Sequence, residues 1–390
     1  MNLRDFTTSS QRRKALEKTT HTSLTKIGLF SSDEERVAER NCENMIGATQ
    51  IPLGVAGPLT INSLSAKSNN YFIPLATTEG ALVASINRGC KAISESGGTT
   101  TYAYRVGTTR GPVFHTGGVA KSKKFYDWLK THESTFKTIA EKTSSHLKYK
   151  KMLIKNIATH VFVRFSFDTD DAMGMNMATI ATQEIVSYIT QKTAIPCLAV
   201  AGNFDIDKKP GWLNFVENKG FKVWAEVVLG HDVVATVLKT TAEKFHATWL
   251  AKCVYGSMMS GSLGFNAQFA NVVAALFIAT GQDPAHTVEG SMGITTTEII
   301  KQPDAKNGLY ISVYLPSLMV GVVGGGTALS TQKEALSIVG FGTQKKNNSA
   351  QFAEIVAAAV LAGEISLLAS LSQGTLAKAH MRLARGKKSV

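Results

Sequence analysis

The sequence predicts an α+β fold, in which a large helix-rich domain surrounds a long buried helix and a small α/β domain is inserted into it. At 390 residues the chain exceeds the usual size of a single core. Its composition shifts near residue 110, before a lysine-rich region, and again near residue 200, where alanine and glycine become frequent. The apolar stretch 354–371 contains Glu354 and Glu364, so we expect a core helix there and no membrane span.

These shifts define the domain prediction. Residues 1–110 and 200–390 form the large domain, and residues 111–199 form the small one. Within the small domain, residues 159–168 alternate β-branched and aromatic residues as a strand does, and residues 177–191 follow a helical pattern. In the large domain, residues 261–286 predict a long apolar helix ending at Gly281. Its polar residues Asn266, Gln268 and Asn271 need hydrogen-bond partners.

Composition excludes several classes of protein. The N-terminal stretch lacks the apolar segment of a secretion signal. The four cysteines are far apart and form no CxxC pair, which argues against a zinc site and a disulfide framework and favours a reducing cytoplasm. The net charge of +13 is concentrated in residues 121–160 and at the C-terminus. Nucleic acid, phosphorylated small molecules and a solvated lysine face each account for such charge, and no RNA-stacking motif is present.

One turn is unusual. The stretch "DTDDAMGMNMAT" (169–180) places two acids, a glycine, methionines and an asparagine between the predicted strand and helix. At such a turn the helix N-terminal amides can face a phosphate, but the spacing is not G-x-G-x-x-G, so a Rossmann domain is not predicted. The glycine-dense stretch "GVVGGGTALS" (321–330) also differs from that pattern. Taken alone, the turn is read more simply as core packing.

Other candidates have equally plain readings when each is taken alone. Glu79 follows a strand-like run and precedes a helix, where an acid often offsets the helix dipole. The turn "GNFDIDKKPG" carries adjacent acids and lysines, as protein surfaces do. Asp283 follows the apolar helix, and His380 lies in a basic tail where a histidine is usually solvated. The combination of these segments is what points to one enzyme family.

Together the segments resemble the 3-hydroxy-3-methylglutaryl-coenzyme A (HMG-CoA) reductases. The matching stretches run nearly from end to end, in the family's order: "ENMIGATQIPLGVAGPL", "TTEGALVASINRGC", "TTRGPV", "DAMGMNM", "GNFDIDKKP", "VLKTTAE", "GFNAQFAN", "GQDPAH", "LPSLMVGVVGGGTAL" and "AGEISLLASLSQGTLAKAHM". "TTEG" and "GVAGPL" point to the class I branch, which includes membrane-anchored enzymes. Since no anchor segment is found, we expect a soluble, cytoplasmic catalytic portion with a small ferredoxin-like NADP-binding domain.

The resemblance implies a reaction and its residues. A thioester is reduced to a primary alcohol by two hydride transfers, with release of coenzyme A. Lys208 matches the oxyanion-stabilising lysine, Glu79 the proton donor, Asp283 the acid that tunes both, and His380 the group that protonates the coenzyme A thiolate. Substrate contacts are matched by Ser85, Asn87, Arg88, Arg110, Asp207, Lys209, Lys239, Lys252 and Asn271. The dinucleotide contacts are matched by Asp171, Met173, Gly174, Met175, Asn176, Gly324, Gly325, Gly326, Thr327 and Arg385.

The resemblance further implies NADPH as cofactor, no metal ion, and a homodimer or higher homo-oligomer with its active site between subunits. Arg385 favours NADPH over NADH, although a family arginine of the small domain is Ser145 here. Three further departures are Ala201 for serine, Gln268 for histidine and Asp170 for glycine. They bear on affinity and leave the catalytic four intact. Two rival readings are a basic nucleic-acid-binding protein and a reductase fold kept as a non-catalytic binding protein.

Overall fold

The structure is a computed structural model that describes residues 5–21, 23–301, 306–341 and 348–374. Its strands are β1 (Leu53–Ser63), β2 (Asn69–Ala76), β3 (Thr99–Arg110), β4 (Val113–His115), β5 (Lys148–Ile157), β6 (His160–Asp168), β7 (Cys197–Ala199), β8 (Gly220–Leu229), β9 (Ile294–Lys301) and β10 (Asn307–Leu318). They join in one sheet whose main path is β7-β4-β6-β3-β8-β10-β9, with β1, β2 and β5 pairing beside it.

The helices occur within the inserted segment and on both sides of it. They are α1 (Ser9–Thr20), α2 (Glu34–Arg40), α3 (Leu82–Glu95), α4 (Val119–Thr131), α5 (Glu133–Lys142), α6 (Met175–Thr193), α7 (Trp212–Val216), α8 (His231–Thr236), α9 (Ala242–Trp249), α10 (Ser257–Ser260), α11 (Phe269–Thr280), α12 (Thr287–Gly290), α13 (Ser330–Val339) and α14 (Asn348–Ser372). A π-helix spans Leu250–Gly256, and short 3₁₀ turns span Pro284–His286 and Gly325–Ala328.

Helix α14 forms the centre of the larger core. It is apolar on all sides, and such a helix must be surrounded by protein or lipid. Of the described helices it alone has the length and hydropathy to cross a membrane, but 83% of its apolar window is buried inside the protein. Its two acids are buried and hydrogen-bonded: Glu354 accepts from Thr101, and Glu364 accepts from Thr295. The prediction of a long buried helix at the centre of the larger core is confirmed.

A second core lies in the inserted segment and is built from residues 114–189. There β4, β5, β6 and β7 pair antiparallel in the order β7-β4-β6-β5, with α4 to α6 in the connections. This is the split β-α-β arrangement of ferredoxin-like domains, and it differs from the parallel Rossmann sheet. The predicted α+β fold is therefore confirmed, whereas the boundaries at 111 and 199 stay a prediction.

One predicted helix is shorter than expected. The pattern over 261–286 predicted a continuous helix, but α11 spans only Phe269–Thr280, with Gly281 at its C-terminal cap in the left-handed region. Upstream, the Glu364 carboxylate accepts from the backbone N–H groups of Ala267 and Gln268 at 2.8 and 2.6 Å. Those two amides are bonded to a neighbouring helix, so the chain turns there before α11 begins. Asn266 and Gln268 consequently precede the helix, and Asn271 lies in its first turn.

Candidate active site

The centre of the candidate site is an ion pair between Lys208 and Asp283. The lysine Nζ lies 2.7 Å from Asp283 Oδ2, and the two side chains are 39% and 32% exposed. Asp283 also caps the short turn that follows it, because its Oδ1 accepts from the backbone N–H of Ala285. Partial burial would raise the pKa of Asp283, but the bond from Lys208, the amide of Ala285 and the nearby His286 outweigh it and lower that pKa.

Lys208 lies on a tight loop between β7 and α7. Three non-glycine residues of this loop have positive φ: Asn203 at 64°, Ile206 at 45° and Lys208 at 56°. Such backbone conformations persist only where surrounding contacts hold them. Lys209, next in the chain, is exposed and donates to the backbone oxygen of Asp207 at 3.1 Å. The loop therefore carries two consecutive lysines that are both exposed.

Ion pairs attach the loop to β3. Arg110, at the end of β3, lies 3.3 Å from Asp205 Oδ2 and 3.4 Å from Asp207 Oδ2. Burial raises the pKa of Asp205, although Lys219 and Arg110 counter it. Burial acts on Asp207 in the same way, but there Lys219, His286 and Arg110 prevail and lower its pKa. The predicted substrate residues Arg110 and Asp207 are thus in contact with each other.

Three residues of this network were missed at the level of sequence. Lys219, His286 and Glu289 are fully buried, and their polar atoms face the Lys208 loop. The spacing of Asp283, His286 and Glu289, three residues apart each time, is a signal that could have indicated one shared helical face. Side-chain atoms of Asp207, His286 and Glu289 lie within 4.8 Å of one another, as metal ligands can. Among them lies the ammonium of Lys219, 2.6 Å from Asp207 and 3.5 Å from Glu289.

A groove of about 740 Å³ lies beside the loop. Its lining includes Pro210, from the end of the loop, together with the predicted substrate residues Lys252 and Asn271. Lys252 is exposed on the π-helix Leu250–Gly256, and distortions of this kind are frequent at functional sites. Asn271 donates to Gln268 at the start of α11. The groove has room for a small acyl group and is lined by the ammonium of Lys252 and the amide of Asn271.

Glu79 is not joined to the pair of Lys208 and Asp283 within the described chain. Its side chain is exposed in the turn between β2 and α3, and its backbone N–H donates to Thr77 Oγ1 at 3.0 Å. In the described residues no hydrogen bond or ion pair links its carboxylate to Lys208 or Asp283. Of the predicted catalytic four, the described residues bring together Lys208 and Asp283.

The predicted coenzyme A contacts cluster near the C-terminal half of α14. Ser85 donates to Ser366 Oγ at 2.9 Å. Arg88 donates to the Ser366 backbone oxygen at 2.5 Å and to Ser370 Oγ at 2.6 Å, and burial lowers the pKa of Arg88. Lys239 is exposed. It lies near the end of α14, since the backbone oxygen of the neighbouring Leu238 accepts from Gln373, just beyond that helix. Asn87 is also exposed and accepts from the backbone of Gly57.

The predicted dinucleotide residues form two adjacent backbone segments. The first is the turn before α6, where Gly174 has φ 82° and any side chain there would overlap Thr169. Met173 and Met175 flank this glycine, and Asn176 is exposed in the first turn of α6. The carboxylate of Asp171 accepts from the N–H and hydroxyl of Ser349 at 2.9 and 2.8 Å, at the start of α14. Asp171 thus has a structural contact that its predicted cofactor role did not include.

The second segment, residues 324–327, lies beside the first. The amide of Val322 donates to the backbone oxygen of Asp171 at 2.9 Å, and Ala172 pairs with Val323. Gly324 and Gly325 have positive φ, and no described atom lies within 4 Å of the position that a Cβ would take at either residue. A ligand can therefore approach the backbone of this segment. Thr327 donates to the Gly324 oxygen. The backbones of Gly326 and Gly281 approach so closely that neither residue has room for a side chain. Because Gly281 is two residues before Asp283, this segment lies close to the ion pair.

Two predicted residues, His380 and Arg385, lie outside the described residues. Of the departures, Gln268 donates to the Gly363 oxygen at 2.6 Å, so its side chain is bonded to α14. Asp170 is exposed, with Oδ2 3.4 Å from His146. Ala201 is exposed at the start of the lysine loop. Gln268 also lines the groove, and within the described residues none of the three departures is bonded to Lys208 or Asp283.

Comparison with known proteins identifies the class. A family model described as Hydroxymethylglutaryl-coenzyme A reductase matches residues 8–385. The 3-hydroxy-3-methylglutaryl-coenzyme A reductase of Pyrococcus abyssi is 46% identical over 379 residues, which cover 96% of this chain and 92% of that protein. The enzyme of the same name from Methanocaldococcus jannaschii is 45% identical over 382 residues, covering 96% and 92%.

A solved structure agrees in fold. The class II 3-hydroxy-3-methylglutaryl-CoA reductase from Streptococcus pneumoniae, bound to NADPH, matches with a TM-score of 0.68 and 16% identity, covering 95% of this chain and 98% of that one. The protein is therefore an enzyme of the oxidoreductase class. It belongs to the hydroxymethylglutaryl-coenzyme A reductase family. The predicted class I type has no support here, since the solved structure is a class II enzyme and its low identity shows the fold alone.

Proposed function

We propose that the protein reduces HMG-CoA to mevalonate and free coenzyme A, consuming two NADPH and two protons. The observation that carries this proposal is the ion pair of Lys208 with Asp283, on a loop whose Pro210 lines the groove, in a chain that belongs to the reductase family. Each hydride added to the carbonyl carbon leaves negative charge on its oxygen. The Lys208 ammonium can stabilise this charge, and its ion pair with Asp283 directs it.

The lysine side chains near the ion pair can bind the acyl group of HMG-CoA. Its free carboxylate needs a cationic partner, which we assign to Lys209 and Lys252, both of which are exposed. Arg110 and Asp207 lie further in and orient the loop and the substrate hydroxyl. Asn271 supplies an amide at the groove wall. Ser85, Asn87, Arg88 and Lys239 would receive coenzyme A near the C-terminal half of α14, where two of these four side chains carry positive charge.

NADPH is the proposed source of hydride. The two adjoining segments fit a dinucleotide, because the open faces of Gly324 and Gly325 let a ligand approach the backbone and Asn176 offers an exposed amide. The related enzyme from Streptococcus pneumoniae binds NADPH. We assign Arg385 to the 2′-phosphate from the family resemblance. This assignment is why we propose NADPH in preference to NADH.

We further propose that the working enzyme is a homodimer or a higher homo-oligomer. Glu79 is exposed and is not bonded to the Lys208 pair in its own chain, so we infer that the proton donor reaches that pair from a second copy. His380 would protonate the departing thiolate. We place the enzyme in the cytoplasm because its cysteines are free thiols. The class I type is kept only as a prediction, resting on the motifs "TTEG" and "GVAGPL".

The test is an assay of the purified protein with NADPH and, separately, with NADH. We expect loss of NADPH absorbance only when HMG-CoA is present, with two NADPH oxidised for each coenzyme A released. Oxidation that does not depend on HMG-CoA, or a stoichiometry of one, would contradict the proposal. Binding of the acyl-coenzyme A without any oxidation would instead support a non-catalytic binding protein.

A further inference from the structure

We propose that Glu289, with His286 and Lys219, is a positioning cluster that holds the Lys208 loop and Asp283 in their reactive arrangement. This inference rests on the proposed function, since it concerns the same lysine. None of the three matches a substrate or cofactor position of the resemblance. All three side chains are fully buried behind the loop, so they act on Lys208 and not on a ligand.

Glu289 is the centre of the cluster. One oxygen, Oε1, accepts the backbone N–H of Lys208 at 3.2 Å and lies 2.7 Å from His286 Nδ1 and 3.5 Å from Lys219 Nζ. The first contact fixes the peptide of a residue whose φ is 56°. A left-handed conformation at a side chain of this size needs such an external contact. Glu289 therefore stabilises the backbone from which the catalytic ammonium extends.

Lys219 secures the residues just before Lys208. Its Nζ lies 2.6 Å from Asp207 Oδ1 and 3.5 Å from the backbone oxygen of Ile206. A fully buried ammonium requires compensating charge, and Asp207 and Glu289 provide it. Three consecutive residues of the loop are consequently attached to the cluster. Asp205 and Arg110 complete the set of charged groups around it.

His286 connects the cluster to the other half of the pair. Its Nδ1 faces Glu289, and its Nε2 lies 3.8 Å from Asp283 Oδ2, the oxygen that also contacts Lys208. In the part of the chain that is described, this Nε2 has no hydrogen-bond partner. Asp283, His286 and Glu289 follow one another at intervals of three along a single helical segment. The same short segment thus carries the acid and, through Glu289, contacts the lysine loop.

The test compares Glu289→Gln with the wild-type enzyme and with Glu298→Gln, the same substitution at an exposed site on β9. Glutamine keeps the size of the side chain and removes the charge that Lys219 and His286 face. We expect kcat to fall by about tenfold or more, since small misplacements of a catalytic group have effects of that order. The KM for HMG-CoA should rise as well, because the same loop carries Asp207 and Lys209. Glu298→Gln should match wild type in both constants.

Two further measurements separate positioning from general damage. A crystal structure of Glu289→Gln should show Lys208 Nζ beyond hydrogen-bonding distance of Asp283. His286→Asn, which keeps a donor towards Glu289 and removes the atom facing Asp283, should also lower kcat and leave substrate affinity unchanged. A folded Glu289→Gln enzyme with kcat within twofold of wild type would overturn the proposal, as would failure of both variants to fold. If wild type itself does not turn over HMG-CoA, the proposed function fails, and the Lys208–Asp283 distance in the variant decides this inference separately.

Discussion

Replacing Lys208 with methionine should abolish most of the activity and leave the fold nearly unchanged. The substitution removes the ammonium and keeps a flexible chain of similar length. Removing one donor to a developing oxyanion typically lowers kcat by about a hundredfold to a thousandfold, or roughly 3 kcal/mol. The ion pair with Asp283 is 39% and 32% exposed, and pairs this exposed contribute at most about 1 kcal/mol to stability.

The structure therefore predicts two different magnitudes for one substitution. Initial rates of NADPH oxidation should fall at least a hundredfold, while thermal unfolding should shift by only about 2 °C for a chain of this size. Lys123→Met is the matched control, because Lys123 forms an exposed ion pair with Asp127 on α4 of the inserted segment. Its activity and melting temperature should both stay near wild type. Turnover of Lys208→Met within tenfold of wild type would refute the assignment of the oxyanion role.

Four further predictions follow from the site. Mixing inactive Glu79→Gln and Lys208→Met subunits should restore about a quarter of wild-type activity if the two residues come from different copies. Half of the random dimers are then mixed, and each mixed dimer has one intact site out of two. No recovery after verified subunit exchange would contradict a shared site. His380→Gln should impair reduction of the thioester far more than reduction of added mevaldehyde, which has no thiolate to protonate; equal losses would show that the residue has another role. Arg385→Ala should raise the KM for NADPH and leave that for NADH unchanged, and equal changes would count against a 2′-phosphate contact. Asp207 has a lowered pKa in the folded state, so the stability it provides is present above the unfolded pKa of about 4 and is lost as the pH falls through the folded value. Melting temperatures measured across acidic pH should therefore decline less steeply in Asp207→Asn than in wild type.

The sequence indicated the short segments that carry the candidate site residues, whose roles stay predictions. Lys208 and Asp283 belong to short motifs whose order matches a family, and the structure brings them together. Patterns of apolar residues likewise indicated α14 and the strand and helix around the turn at Gly174.

Contacts between distant segments could not be predicted in this way. Glu289 accepts from a residue 81 positions earlier, and it belongs to no recognisable motif. The predicted start of the helix that contains α11 was wrong, because the carboxylate of Glu364, 96 residues further on, accepts from the backbone N–H of Gln268. The carboxylate of Asp171 bonds to Ser349, 178 positions away. Periodicity reports which face of an element is apolar, but it contains no information about which polar group from another segment reaches it.

Helix α14 connects the two ends of the proposed ligand region. Its first turn is bonded to Asp171 of the dinucleotide turn, and its C-terminal half is bonded to Arg88. At about 1.5 Å per residue, its 25 residues fix a length of roughly 37 Å. Deleting or inserting a single residue between these contacts would shift one end by that rise and rotate it by about 100° relative to the other. The interior of this helix can therefore accept exchanges of apolar side chains, but its length is constrained by the contacts with Asp171 and Arg88 near its two ends.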